Sequence, residues 1–177
     1  KNIMTDAKGN AIHITDSTVG HVDGNKISGK ACTGGVFSAR AKITSIAGNV
    51  IKNIKGQVIY MSSGSVVSKV DKNTIKKTGK EGILLTSQSK VSSVSKNKIT
   101  NAKSYGIKLS GSKKNKVKII SNKLSGKKSA TGIWVQAGKA TVNKNTLTGF
   151  GLGIRTNKSM TGKMKGNKFK KCKKNIS

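Results

Sequence analysis

Acidic residues are almost missing from this chain of 177 residues: five Asp and Glu stand against 36 Lys and Arg, a formal net charge of +31. A field so one-sided favours anionic partners, whether nucleic acid, acidic glycans, teichoic-type polymers or anionic headgroups. Arginine is nearly missing as well, with only Arg40 and Arg155. The cations are therefore hydrated lysine point charges rather than the bidentate forks that read bases and phosphates. Two cysteines, Cys32 and Cys172, make no disulfide framework. No stretch reaches the ~18 apolar residues of a membrane span, and none reads as a secretory signal. The chain starts at Lys1 without Met, so a trimmed piece, the C-terminal part of a longer protein, is expected. Its length suits one domain over residues 1–177.

What is present is a repeat. Asn recurs at Asn25, Asn49, Asn73, Asn97, Asn122, Asn145 and Asn167, at spacings of 24, 24, 24, 25, 23 and 22. Two residues after each comes a large apolar residue: Ile27, Ile51, Ile75, Ile99, Leu124, Leu147 and Phe169. Three before each comes another: Val22, Ile46, Val70, Val94, Ile119, Val142 and Met164. A further unit lies between them, clearest as Gly82-Ile83-Leu84-Leu85, Gly106-Ile107-Lys108-Leu109 and Gly132-Ile133-Trp134-Val135, with weaker copies such as Gly35-Val36-Phe37-Ser38.

Three short Val- and Ile-rich clusters per period read as three short strands, with Gly, Asn, Ser and Lys at the turns. One coil of three strands cannot bury its inner face, but stacked on its neighbours it can. The predicted fold is all-β: a right-handed parallel β-helix (solenoid) of about seven coils of 22–25 residues, a rod roughly 30 to 35 Å long at ~4.8 Å per coil. A leucine-rich horseshoe has a similar period, but no helical stripe fills the rest of each repeat.

The Asn-x-Ile and Gly-Ile-x-Leu units over about residues 9–170 resemble right-handed parallel β-helix proteins, the broad group that includes pectate lyases and alginate epimerases. The resemblance implies the fold; that fold carries enzymes, adhesins and spacers alike. Enzymes of the group typically use calcium-binding carboxylates on an outer sheet face with a nearby Arg or Lys base. Here Asp23 and Asp71 share a column but stand two coils apart, about 9.6 Å, too far for direct ligation of one calcium ion. No metal and no cofactor is expected, and the chain leans away from being an enzyme.

In a stack every position becomes a column. The seven Asn form an inward ladder in which each amide donates to one neighbour and accepts from the other. The x of Gly-Ile-x-Leu points outward and reads His13, Phe37, Tyr60, Leu84, Lys108, Trp134 and Arg155, so three of only six aromatics share one column. The next outward column, Thr15, Ala39, Ser62, Thr86, Ser110, Gln136 and Asn157, is small and mostly polar, as a groove floor would be. His13, Phe37, Tyr60, Lys108, Trp134 and Arg155 are the candidate ligand-binding residues, suited to sugar rings and their acidic groups. The competing reading covers this stripe in a homo-oligomer or with an upstream domain.

Asp16 and Arg40, each nine before an Asn, should be ladder neighbours forming an ordinary inter-coil ion pair near His13 and His21. Cys32 and Cys172, six coils apart, should lie ~29 Å from each other and remain unbridged. With no helix to enter a groove, specific nucleic-acid recognition is not expected. Three functional readings stay open: an auxiliary, non-catalytic module of a secreted or surface protein, extracellular or at the cell surface, binding acidic polysaccharide or another polyanion; a fragment of a polysaccharide lyase or C5-epimerase; and a structural stalk or adhesin spacer.

Overall fold

The structure, a computed structural model, describes residues 1–157 and 164–177. Its strands are two to six residues long and fall into three parallel sheets, with no helix among the described residues. One sheet carries the segment after each Asn, in eight strands from Ile3–Thr5 to Lys168–Lys170; we call it the asparagine sheet. The second carries the Gly-Ile-x-Leu units, in eight strands from Asn10–Thr15 to Lys174–Ile176, and is the glycine sheet. The third carries the segment before each Asn, in seven strands from Thr18–Asp23 to Met164–Lys165, and is the valine sheet. Each strand pairs only with its copies one coil away, the topology of a right-handed parallel β-helix of about seven turns.

Register follows the repeat. Ile27, Ile51, Ile75 and Ile99 pair in sequence, as do Val67 with Val91 and Ile83 with Ile107. These side chains are buried and stack like on like into one continuous core running up the rod. Ser38 breaks the rule: it takes an inward glycine-sheet position, fully buried, and its hydroxyl has no partner.

Coils turn corners with left-handed backbone. The residue before each ladder Asn has positive φ in all seven repeats: Gly24, Gly48, Lys72, Lys96, Ser121, Lys144 and Gly166, between 54° and 69°. Glycine takes this conformation freely. The lysines and Ser121 are less suited to it and are held there by the bonding of the Asn that follows.

That bonding is complete. From Asn25 to Asn145, each Nδ2 donates to the Oδ1 of the next Asn at 2.9 to 3.0 Å. The same Oδ1 accepts the backbone N–H of the preceding Asn. From Asn49 onward the other Nδ2 hydrogen goes to the carbonyl three residues before the preceding Asn, at 2.6 to 3.0 Å. Two donors and two acceptor positions are thus used in every interior amide. The ladder also starts one coil earlier than the repeat read from Asn25: Asn2 donates to Asn25 at 3.2 Å, and Met4 pairs with Ile27 as the first apolar rung.

Candidate functional site

The outward column of the glycine sheet has the register that alternation predicts. His13 pairs with Phe37, Phe37 with Tyr60, Tyr60 with Leu84, Leu84 with Lys108, Lys108 with Trp134 and Trp134 with Arg155. Its side chains do not form a row of flat platforms. They pack on one another, as large groups ~4.8 Å apart must.

Two clusters result. At the N-terminal end His13 meets Phe37 edge-on, centroids 4.7 Å apart at 86°, and Phe37 meets Tyr60 at 5.3 Å and 67°. These are the edge-to-face arrangements that ring quadrupoles favour. Leu84 follows; although outward, it is only 6% exposed. Toward the C-terminal end the Lys108 ammonium lies 4.5 Å from the Trp134 centroid and 5.1 Å from that of Tyr105. Arg155, from the next coil, places its guanidinium carbon 4.7 Å from the same Trp134 ring. Tyr105 and Trp134 lie 5.2 Å apart, tilted by 31°.

Sequence reasoning missed Tyr105 because its column, with Asn10, Gly34, Thr131 and Leu152 in other coils, has no aromatic pattern. The available signal was Gly106. A Cβ there would lie 2.6 Å from the Gly132 carbonyl and 3.3 Å from Leu124, a core side chain. Gly106 and Ile107 therefore both face inward, and the residue before them turns out.

The neighbouring small column is tied to the first. Thr86 donates to the Tyr60 hydroxyl at 3.3 Å and contacts Ser62 at 3.4 Å. Ser110 donates to the Leu85 carbonyl at 3.0 Å, and Asn157 to that of Gln136 at 3.3 Å.

Three acids are engaged between coils elsewhere. Arg40 donates to Asp16 through Nε and Nη2, a bidentate exposed pair, and holds that carboxyl below the usual carboxylate range. Ser45 donates its one proton to Asp23 at 2.8 to 2.9 Å, so the His21 Nδ1 at 2.8 Å from Ser45 is the donor to that hydroxyl. Ser45 is fully buried and its proton is directed at a carboxylate, so the trio is an inter-coil bond and not an activated nucleophile. Asp71 accepts from Ser95 at 2.8 Å. Among the described residues no three His, Cys, Asp or Glu gather as a metal site. Both cysteines are free: the buried Cys32 thiol faces the Ser28 carbonyl, and Cys172 that of Leu147.

The arrangement can offer fixed positive charge on a rigid, aromatic-backed face. The chain matches no curated protein and no solved structure. The likeness to pectate lyases and alginate epimerases therefore stands at the level of the parallel β-helix. A family description does match, over residues 1–177, and by it the chain belongs to the NosD family, described as periplasmic copper-binding proteins.

Proposed function

We propose that this chain is a non-catalytic β-helix module of the cell envelope that binds acidic polysaccharide across the C-terminal part of its glycine sheet. The observation that carries the reading is the pair of cations on one indole: Lys108 and Arg155, from the coils on either side, both sit over Trp134. Neither has a carboxylate partner among the described residues, and the sequence contains no acid after Glu81. Cation–π contact fixes the two charges at small cost to their hydration, leaving them available to carboxylates of a passing chain. The rings thus act as mounts for charge rather than as stacking platforms. Phe37 and Tyr60 continue the face as an apolar and hydroxyl-bearing edge for sugar rings.

The family's description as periplasmic supports an envelope or secreted location. Its copper does not fit the residues in hand. Copper ions favour Cys, Met and His ligands, yet among the described residues the two His lie on different sheets, His21 is committed to Ser45, the two cysteines sit on distant coils, Met61 is buried in the core, and Met4 and Met164 lie at opposite ends of the rod. The non-catalytic part of the reading is supported by the placement of the acids, none of which lies in a glycine-sheet strand.

Trp134 is the sole tryptophan, so its fluorescence reports directly on this face. Oligogalacturonate should change the emission and a neutral oligosaccharide of the same length should not. Trp134→Ala and Arg155→Gln should each weaken calorimetric binding about tenfold, the loss of one good charge-assisted contact. Lys98→Gln, on the asparagine sheet, should weaken it less than about twofold, as a distant exposed charge does. Equal losses at Arg155 and Lys98 would mean that net charge alone attracts the ligand, and the reading would fall.

A further inference from the structure

A large opening lies at another place, the corner where each coil leaves the asparagine sheet. It is a groove of about 710 Å³ whose rim carries Lys30, Lys55, Lys77, Lys103 and Lys127, with no acidic residue in its lining. These five lysines come from five successive coils, at five, six, four, six and five residues after Asn25, Asn49, Asn73, Asn97 and Asn122.

Their placement is staggered. Four residues after the ladder Asn stand Asn53, Lys77 and Asn101; six after it stand Lys55, Gly79 and Lys103. In the middle three coils the lysines that line the groove thus alternate between two columns, and none of these three stands directly above another. Stacked in one column, ammoniums would repel at ~4.8 Å; alternation doubles the separation within each column. Gly79 cannot be replaced by a larger residue without moving backbone, because a Cβ there would lie 1.7 Å from the Lys55 carbonyl. The coils therefore close up under a bare position, with Lys55 and Lys103 on either side. Asn53, Lys77 and Asn101 all have left-handed backbone, φ 57° to 58°. Ile54 and Thr78, with the lysine stems, line the rest of the groove.

We propose that this corner is a second anion site, an axial track on which an acidic polysaccharide lies along the rod with one carboxylate for each coil. The step of ~4.8 Å is close to the length of one sugar ring in an extended chain, so rings and lysines keep pace over five coils. Duplex nucleic acid advances ~3.4 Å per phosphate on each strand and curves away from a straight track. The proposal shares the ligand class of the glycine-sheet reading but uses a different face, so each can fail without the other.

The test is binding of oligogalacturonate to the full chain, by calorimetry at low salt, in two triple variants of equal charge. One removes the track: Lys55→Gln, Lys77→Asn and Lys103→Gln, with asparagine chosen because it already occupies the adjacent left-handed corners. The other removes three exposed valine-sheet lysines: Lys42→Gln, Lys90→Gln and Lys116→Gln. Calorimetry of the unaltered chain should show two sites; the track variant should lose one of them, its binding there at least tenfold weaker, and the valine-sheet variant should keep both with affinities no more than threefold lower. Equal losses overturn the track, because they report net charge only. A loss confined to a Lys108→Gln/Arg155→Gln variant also overturns it and leaves the glycine-sheet reading standing. A loss confined to the track variant supports the track and overturns the glycine-sheet reading. Should the track variant melt early, acetylation footprinting of the unaltered chain decides. Lys55, Lys77 and Lys103 should be protected by oligogalacturonate and not by a neutral oligomer, and absence of protection overturns the proposal.

Discussion

The first and second halves of the rod share one scaffold and differ sharply in charge. Residues 1–81 hold thirteen Lys and Arg against all five acids, net +8; residues 82–177 hold twenty-three against none, net +23, together the +31 of the chain. In the first half Asp16, Asp23 and Asp71 are each bonded to the following coil. The second half stacks the same columns without an acid; in the column of Asp23 and Asp71 the neutral Asn143 accepts the Lys165 N–H at 2.9 Å instead. The acids are therefore not what holds the coils together. Asn amides and the Val/Ile/Leu core do that in both halves, and in the second they do it against self-repulsion. Trp134, Arg155, Lys108 and two of the five track lysines lie in this acid-free half.

If the ladder is the same device in both halves, breaking one rung must cost the same in either. Asn49→Ala and Asn122→Ala are the matched pair, each fully buried. Each substitution strips an acceptor from the preceding Asn, both its N–H and its Nδ2, and a donor from a carbonyl, that of Val22 or Val94. Buried groups left unpaired cost about 1 to 3 kcal/mol each, so a total of roughly 2 to 5 kcal/mol is expected. Urea midpoints at high salt should fall alike in both variants, and Asn167→Ala, at a half-buried rung, should fall less. A much smaller loss at Asn122 would mean that the halves are held together differently, and the comparison would break.

The fold was legible because a stack converts a sequence period into geometry. Once seven Asn set the register, Ile75 over Ile51 followed from counting, and Trp134 over Lys108 followed from aligning the Gly-Ile-x-Leu units. Asn2 escaped because no residue stands three before it in the sequence, so that only Met4 of the two flanking apolar columns marks its rung. Tyr105 escaped because it depends on two consecutive inward residues at a corner, which strict alternation does not anticipate. The site was less legible than the fold. Column membership says which side chains are neighbours, and it does not say how they turn: the rings at Phe37 and Tyr60 chose edge contacts, and Trp134 took cations. The lysine groove was invisible because its members occupy three different offsets from the ladder Asn, so no single column displays them.

The charge difference itself can be sharpened through salt. Raising ionic strength shortens the Debye length from ~30 Å at 0.01 M to ~8 Å at 0.15 M, so repulsion among the lysines of the second half should be relieved more than in the first. Backbone amide exchange should show this strand by strand. Protection around Leu124 and Leu147 should rise by about 1 kcal/mol more than around Ile51 and Ile75, the scale of exposed charge interactions. Oligogalacturonate at low salt should act like added salt, concentrated in the same half. A uniform rise along the rod would show that the charge gradient does not reach the stability of individual coils.

The smallest effect is expected at the best-formed ion pair. Arg40 holds the Asp16 carboxyl below the usual carboxylate range, chiefly by hydrogen bonding. A carboxylate whose folded-state value is lowered contributes its stability above its unfolded value, near pH 4, and loses it as pH falls through the lower folded value. The pair is therefore fully formed at pH 7 and fades only in acid well below pH 4. Both side chains are exposed, 57% and 60%, so solvent screening leaves the pair little to contribute. Asp16 also occupies a left-handed corner, φ 51°, which asparagine tolerates equally well. Asp16→Asn removes the charge and keeps the corner. Its urea midpoint should sit just below that of the unaltered chain at pH 7, approach it as pH falls below the usual carboxylate range, and coincide with it at pH 7 in high salt. A large deficit at pH 7 that survives salt would make Asp16 structurally necessary, and the contrast between an acid-bearing and an acid-free half would then extend to what holds the coils together.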